Sequence, residues 1–255
     1  MVTIKYLSRN SAIFTVMLIL LLPLQCLKAT TIEFGTNLIE NGNAELGVGS
    51  TGGYDVLDVP EWDTVGNFTV VNYGAGSGSS KFPDFDSPGP DDRGINFFAG
   101  GPGNATSSAV QIIDVSGAAY EIDQGTVGYD LSGYFGGWEG QNDNAVLTVL
   151  FQDNNGNVLG SDAIGSISAS DRGNDTSLLY LDTQGFLPTD TRQIEVLLVM
   201  NRTDGSYNDG YADNLSFVLV PLPSTFILLG TGILAMRRYQ RISRRPRHSQ
   251  VGKSG

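Results

Sequence analysis

Short apolar runs, each closed by a cluster of Gly, Asn, Asp, Ser or Thr, follow one another from Thr31 to Val220, and no sustained helical period interrupts them. Such punctuation builds strands and turns. It predicts strands near Thr31–Phe34, Phe68–Tyr73, Gly94–Ala99, Ala109–Asp114, Tyr129–Phe135, Ala145–Gln152, Val158–Ile164, Ser177–Asp182, Gln193–Asn201 and Tyr211–Val220. The segment Asp153-Asn154-Asn155-Gly156-Asn157 predicts a tight hairpin, because Asn-Gly tolerates positive φ. Val146–Phe151 is almost continuously apolar, as is Ile194–Met200 apart from Glu195. Strands apolar on both faces are expected at a sheet centre, packed between layers. The fold expected for residues 31–220 is therefore all-β, one domain, a two-sheet sandwich.

Both ends differ from this body. Lys5 and Arg9 precede an apolar stretch from Ala12 to Leu24, and Ala29 supplies a small residue for cleavage. Residues 1–29 are thus expected to be a helical secretory signal peptide. At the other end Pro221-Leu222-Pro223-Ser224-Thr225 leads into an apolar segment, 223–236, and then Arg237, Arg238, Arg241, Arg244, Arg245 and Arg247. Pro223 suits the first turn of a helix. The 14 residues of that segment fall short of the roughly 20 of an ordinary span, so a short transmembrane helix with its arginines on the cytoplasmic side is expected.

Charge narrows the partners. All 27 acidic residues lie in the body, against Lys81, Arg93, Arg172, Arg192 and Arg202, a net charge of −22 where the whole chain has −12. Nucleic acid is disfavoured, since phosphates need a cationic surface. A hard cation such as calcium is favoured, because it takes carboxylate and carbonyl oxygens. Cys26 and His248 are the chain's single cysteine and histidine, and both lie outside the body. That excludes a Ser-His-Asp triad, a Cys-His dyad and His-ligated zinc there. Paired-carboxylate chemistry survives, so a glycoside hydrolase or lyase stands as the alternative to a non-enzymatic protein.

The order Val220-Pro221-Leu222-Pro223-Ser224-Thr225, apolar helix, arginine cluster resembles the PEP-CTERM sorting domain of bacterial envelope proteins, with Leu222 where that motif usually has Glu. The resemblance, over residues 221–255, implies recognition by an exosortase-type membrane enzyme through Pro221, Pro223, Ser224, Arg237 and Arg238. It further implies transit through the inner membrane, and release to the cell surface or extracellular matrix.

The body opens with Asn37-Leu38-Ile39-Glu40-Asn41-Gly42-Asn43-Ala44-Glu45, continues to Pro60-Glu61-Trp62, and closes with Tyr211-Ala212-Asp213-Asn214-Leu215-Ser216-Phe217. This is similar to the galactose-binding-like jelly roll of many carbohydrate-binding modules. The resemblance implies that the first and last motifs lie side by side around a structural calcium, with Glu45 and Asp213 as carboxylate ligands and Asn43 and Asn214 as neighbours. Asp204–Gly210 is a second loop rich in oxygen ligands, without EF-hand spacing. Sugar binding needs aromatic faces, for which Tyr134, Trp138, Tyr207 and Tyr211 are candidates. Tyr134 and Trp138 share a side if one strand runs on through Gly136 and Gly137. The expected function is an exported, non-enzymatic surface or matrix protein that binds a glycan such as exopolysaccharide, or serves as structure.

Overall fold

The computed structural model describes residues 32–76 and 82–222. The signal peptide expected at 1–29 lies outside the described residues, and so do the tail residues Pro223, Ser224, Arg237 and Arg238. Among the described residues no helix is long and apolar enough to cross a membrane.

Ten strands carry the fold: β1 (Asp63–Val65), β2 (Thr69–Asn72), β3 (Asn96–Pro102), β4 (Thr106–Asp114), β5 (Val127–Gly137), β6 (Asn144–Gln152), β7 (Val158–Gly165), β8 (Ser177–Phe186), β9 (Gln193–Asn201) and β10 (Tyr207–Pro221). Among the described residues a 3-10 turn, Ser116–Ala118, and a short helix, α1 (Ala119–Asp123), lie between β4 and β5. The strands form two five-stranded antiparallel sheets, ordered β2-β3-β10-β5-β8 and β1-β4-β9-β6-β7, stacked as a jelly-roll sandwich.

Period-two alternation explains the packing. On β6 the residues Ala145, Leu147, Val149 and Phe151 turn inward and are buried, as are Ile194, Val196, Leu198 and Met200 on β9. They meet Leu131, Phe135, Leu215, Phe217 and Leu219 from the other sheet in one core. Tyr129 and Phe217 stack there with centroids 5.4 Å apart and planes 20° apart. At the β7–β8 edge the Tyr129 hydroxyl donates to Asp162 Oδ2 at 2.8 Å, which clasps the two sheets.

Three expectations are corrected. The first is a strand at Thr31–Phe34: the chain only runs beside β10 through Gly35 N to Leu219 O (2.9 Å) and Leu38 N to Phe217 O (2.9 Å). Asn37 interrupts a regular ladder, its side chain donating to Leu215 O and accepting from Phe217 N. The second is a further layer over β6 and β9. Both are central strands, but their outward residues Val146, Leu150, Leu197 and Val199 are half-buried, not enclosed. The third is a ligand loop at Asp204–Gly210, where Tyr207 already begins β10 and Asn208 and Asp209 are buried. The Asp153–Asn157 hairpin forms as expected: Asp153 Oδ1 accepts from Asn155 N and Asn157 N, and Gly156 takes φ 78°.

Candidate functional site

The outer face of the β2-β3-β10-β5-β8 sheet divides into a covered half and an open half. Over β2, β3 and the start of β10, a second apolar cluster gathers Val71, Tyr73, Phe97, Leu178, Tyr207 and Tyr211 beneath Ala75 and Phe82 of the loop that follows β2. Two candidate sugar-binding rings are lost here. Tyr211 has no exposed surface and Tyr207 keeps 7%, so neither presents a face to a pyranose. Tyr211 Oη instead donates to Asp209 Oδ1. Closure by residues far away in sequence buries them.

The open half spans β10, β5 and β8. Register places Asp213, Tyr134 and Tyr180 in one row, then Ser216, Ser132 and Asp182, then Val218, Asp130 and Gln184. Strand β5 does continue through Gly136 and Gly137, where Gly136 passes so close to Ser177 O that a Cβ would collide with it. Tyr134 and Trp138 are both half-buried against the second cluster. Tyr134 meets Tyr180 edge to face with centroids 5.3 Å apart, and Tyr180 is 54% exposed. Tyr180 escapes sequence reasoning because it sits in a run, Leu178-Leu179-Tyr180-Leu181, that reads as core. Its partner across β5 is what identifies it.

A loop bounds this open half. Leu178 N donates to Pro88 O at 2.9 Å, so the segment before β3 reaches across to β8. Arg93 organises the loop: Nε donates to Pro90 O, Nη1 to Asp84 O and Ser87 O, and the guanidinium lies 5.1 Å from the Tyr73 ring centre. Asp91 and Asp92 approach Tyr134 from this rim; burial raises the Tyr134 phenol first, and the two carboxylates add to it.

The four residues suggested for calcium come near one another. Asp213 has no exposed surface; its Oδ2 accepts from Tyr73 Oη at 2.7 Å and its Oδ1 from Asn214 N at 2.7 Å. Burial pushes its carboxyl up to about 8, with Glu45 and Asp92 adding like charge against the pull of those hydrogen bonds. Glu45 Oε1 accepts from Ile95 N and Asn96 N at 2.8 and 2.7 Å. Asn43 and Asn214 line a neighbouring cleft of about 310 Å³ with Asp92, to which Asn214 Nδ2 donates at 2.8 Å. Asp92 was not among the sequence candidates. Among the described residues no group of three His, Cys, Asp or Glu side chains is close enough to hold a metal by itself. The carboxylate and amide oxygens of this region are of the kind a hard cation takes.

A separate cleft of about 750 Å³ lies between the N-terminal segment, the 58–63 turn and β4. There Glu61, beside Glu40, raises the Glu40 carboxyl. Gln111 fixes both segments, donating to Glu40 O and Glu61 O at 3.1 and 2.8 Å.

No family model and no curated protein matches the chain. Among solved structures it is similar to the enzymatically active domain of bacteriophage CBA120 tailspike protein 4 (17% identity, TM-score 0.42, covering 72% of this chain and 21% of that one). It is also similar to a Family 16 carbohydrate binding module (18%, 0.42, covering 71% and 99%). A third is the CBM22-1 xylan-binding domain from Paenibacillus barcinonensis (17%, 0.36, covering 64% and 87%). Such identities and scores describe a general likeness of architecture and carry nothing about ligand or reaction.

Proposed function

We infer that the body is a non-enzymatic glycan-binding module and that the open half of the sheet face is its binding surface. The observation that carries this is the Tyr134–Tyr180 pair, an exposed ring braced by a second, with Ser132, Asp182 and Ser216 forming the adjacent row. Pyranose CH groups stack on such a ring while neighbouring hydroxyls and carboxylates bond the sugar hydroxyls. Trp138, half-buried at the end of β5, extends the apolar side. Immobilised polysaccharides probed with the wild-type chain and with Tyr180→Ala test the reading. Retention lost in the variant at unchanged melting temperature supports it, and no retention of the wild type on any polysaccharide refutes it.

In the same reading the protein is exported, and an exosortase-type membrane enzyme processes the tail at Pro221-Leu222-Pro223-Ser224 after transit through the inner membrane, delivering the body to the surface or to an exopolysaccharide matrix. The sequence order of that tail supports this step. The mass of the mature protein tests it, since an intact C-terminus rules out processing. Calcium held by Glu45 and Asp213, with Asn43 and Asn214 at the rim, belongs to the proposal as a structural ion. Its support is the approach of the first and last motifs, where Asn43 and Asn214 line one cleft and Asn214 Nδ2 reaches Asp92 at 2.8 Å.

A further inference from the structure

The open half of the face is acidic in a way that selects among glycans. Asp130 and Asp182 are diagonal neighbours across β5 and β8, about 7 Å apart at that spacing. Asp91 and Asp92 lie on the loop before β3, and Asp92 accepts from Asn214 Nδ2 at 2.8 Å, next to the Asp213–Tyr134 row. Among the described residues Arg93 is the cation of this region, and it lies over Tyr73 with Nε and Nη1 given to loop carbonyls. The acids alone would be an ordinary solvated surface. What makes them a site is the Tyr134–Tyr180 pair, which fixes where a sugar ring rests and therefore which substituents reach the carboxylates.

We propose that the glycan recognised here carries free amino groups, its rings stacking on Tyr180 while its ammonium groups meet Asp182, Asp130 and the Asp91–Asp92 rim. The proposal rests on the glycan-binding reading above and narrows its ligand class. A uronate or sulfated polymer laid along the same rows would bring like charges against Asp182 and Asp130. A neutral polymer would leave the carboxylates uncompensated except by hydroxyls. An amino polymer neutralises them, and several exposed pairs together give a preference of about tenfold or more. Screening shrinks that preference as salt rises.

Calorimetric titration of the full 255-residue chain with three hexasaccharides, of glucosamine, N-acetylglucosamine and galacturonic acid, decides the matter. The measurements are made at mildly acidic pH, where sugar amines are protonated, and at low and high salt. The glucosamine hexamer is expected to bind about tenfold or more tighter than its acetylated form at low salt, a gap that closes at high salt. The galacturonate hexamer is expected not to bind. Asp182→Asn should narrow the gap, and Tyr180→Ala should abolish binding of both amino and acetylated forms. Equal affinities for those two, or binding of galacturonate, overturns the amino-glycan class and leaves glycan binding standing. Undiminished glucosamine binding by Tyr180→Ala means diffuse attraction to the acidic body and also overturns it. Failure of all three hexamers to bind overturns both readings.

Discussion

Tyr73 and Asp213, 140 positions apart in sequence, are joined by a 2.7 Å hydrogen bond from the phenol to a carboxylate without exposed surface. The bond ties the loop after β2 to the middle of β10 and places a carboxyl under the loop that carries Arg93. Tyr73 is driven far above its usual range, by burial first and then by the Asp213 charge.

This pair bears on calcium. If Glu45 and Asp213 hold the ion, adding calcium should raise the melting temperature and a chelator should lower it. At a concentration a hundredfold above the dissociation constant, the gain is about 2.7 kcal/mol. Asp213→Asn should remove the response. A calcium-independent melting curve in the wild type would discard the ion.

A pH effect follows from Asp209, whose carboxyl burial raises to about 7 despite the hydrogen bond from Tyr211. Its folded value exceeds its unfolded one, so the stability it contributes is complete below the unfolded value, about 4, and is lost as pH rises through about 7. Melting temperature should therefore fall between about pH 4 and 7. Asp209→Asn should flatten that slope, and an unaltered slope in the variant would reject the assignment.

Arg172 joins three segments, its Nη1 donating to Gly137 O and Asp175 O and its Nη2 to Gln141 O. It is 4% exposed, and burial lowers its guanidinium while the Asp143, Asp175 and Asp209 carboxylates pull the other way. Arg172→Met should cost about 3 kcal/mol or more, because it strips three backbone carbonyls of their charged donor in a buried setting. Denaturant unfolding reads this directly. A loss below about 1 kcal/mol would mean that water replaces the guanidinium.

Phe217 lies against Tyr129 and Phe151 at the centre of the core. Phe217→Ala should destabilise by about 3–5 kcal/mol through lost burial and a cavity. Gly136→Ala should also destabilise, by forcing β5 away from Ser177 of β8. A Gly136→Ala chain as stable as wild type would show that the two strands part easily there.

Nine of the ten strands were legible in the sequence, because alternation and turn residues act locally. The missed strand, β1, is a three-residue exposed edge, Asp63-Thr64-Val65, that exists only through its pairing with β4. Site residues were less legible. Tyr134 and Trp138 follow from periodicity along one strand. Tyr180, Asp91 and Asp92 become relevant only when β8 and the loop after β2 are brought beside Tyr134. Tyr207 and Tyr211 failed for the opposite reason: β10 presents them outward, and Phe82 from a distant loop closes over them.

Strand β10 is the last of the described strands yet an interior member of its sheet, flanked by β3 and β5. A ribosome must therefore release residues up to about 221 before that sheet can close, and until then β3 and β5 have no shared neighbour. Closure of this sheet thus waits on the pairing most distant in sequence, and the growing polypeptide stays open for as long as β10 is missing.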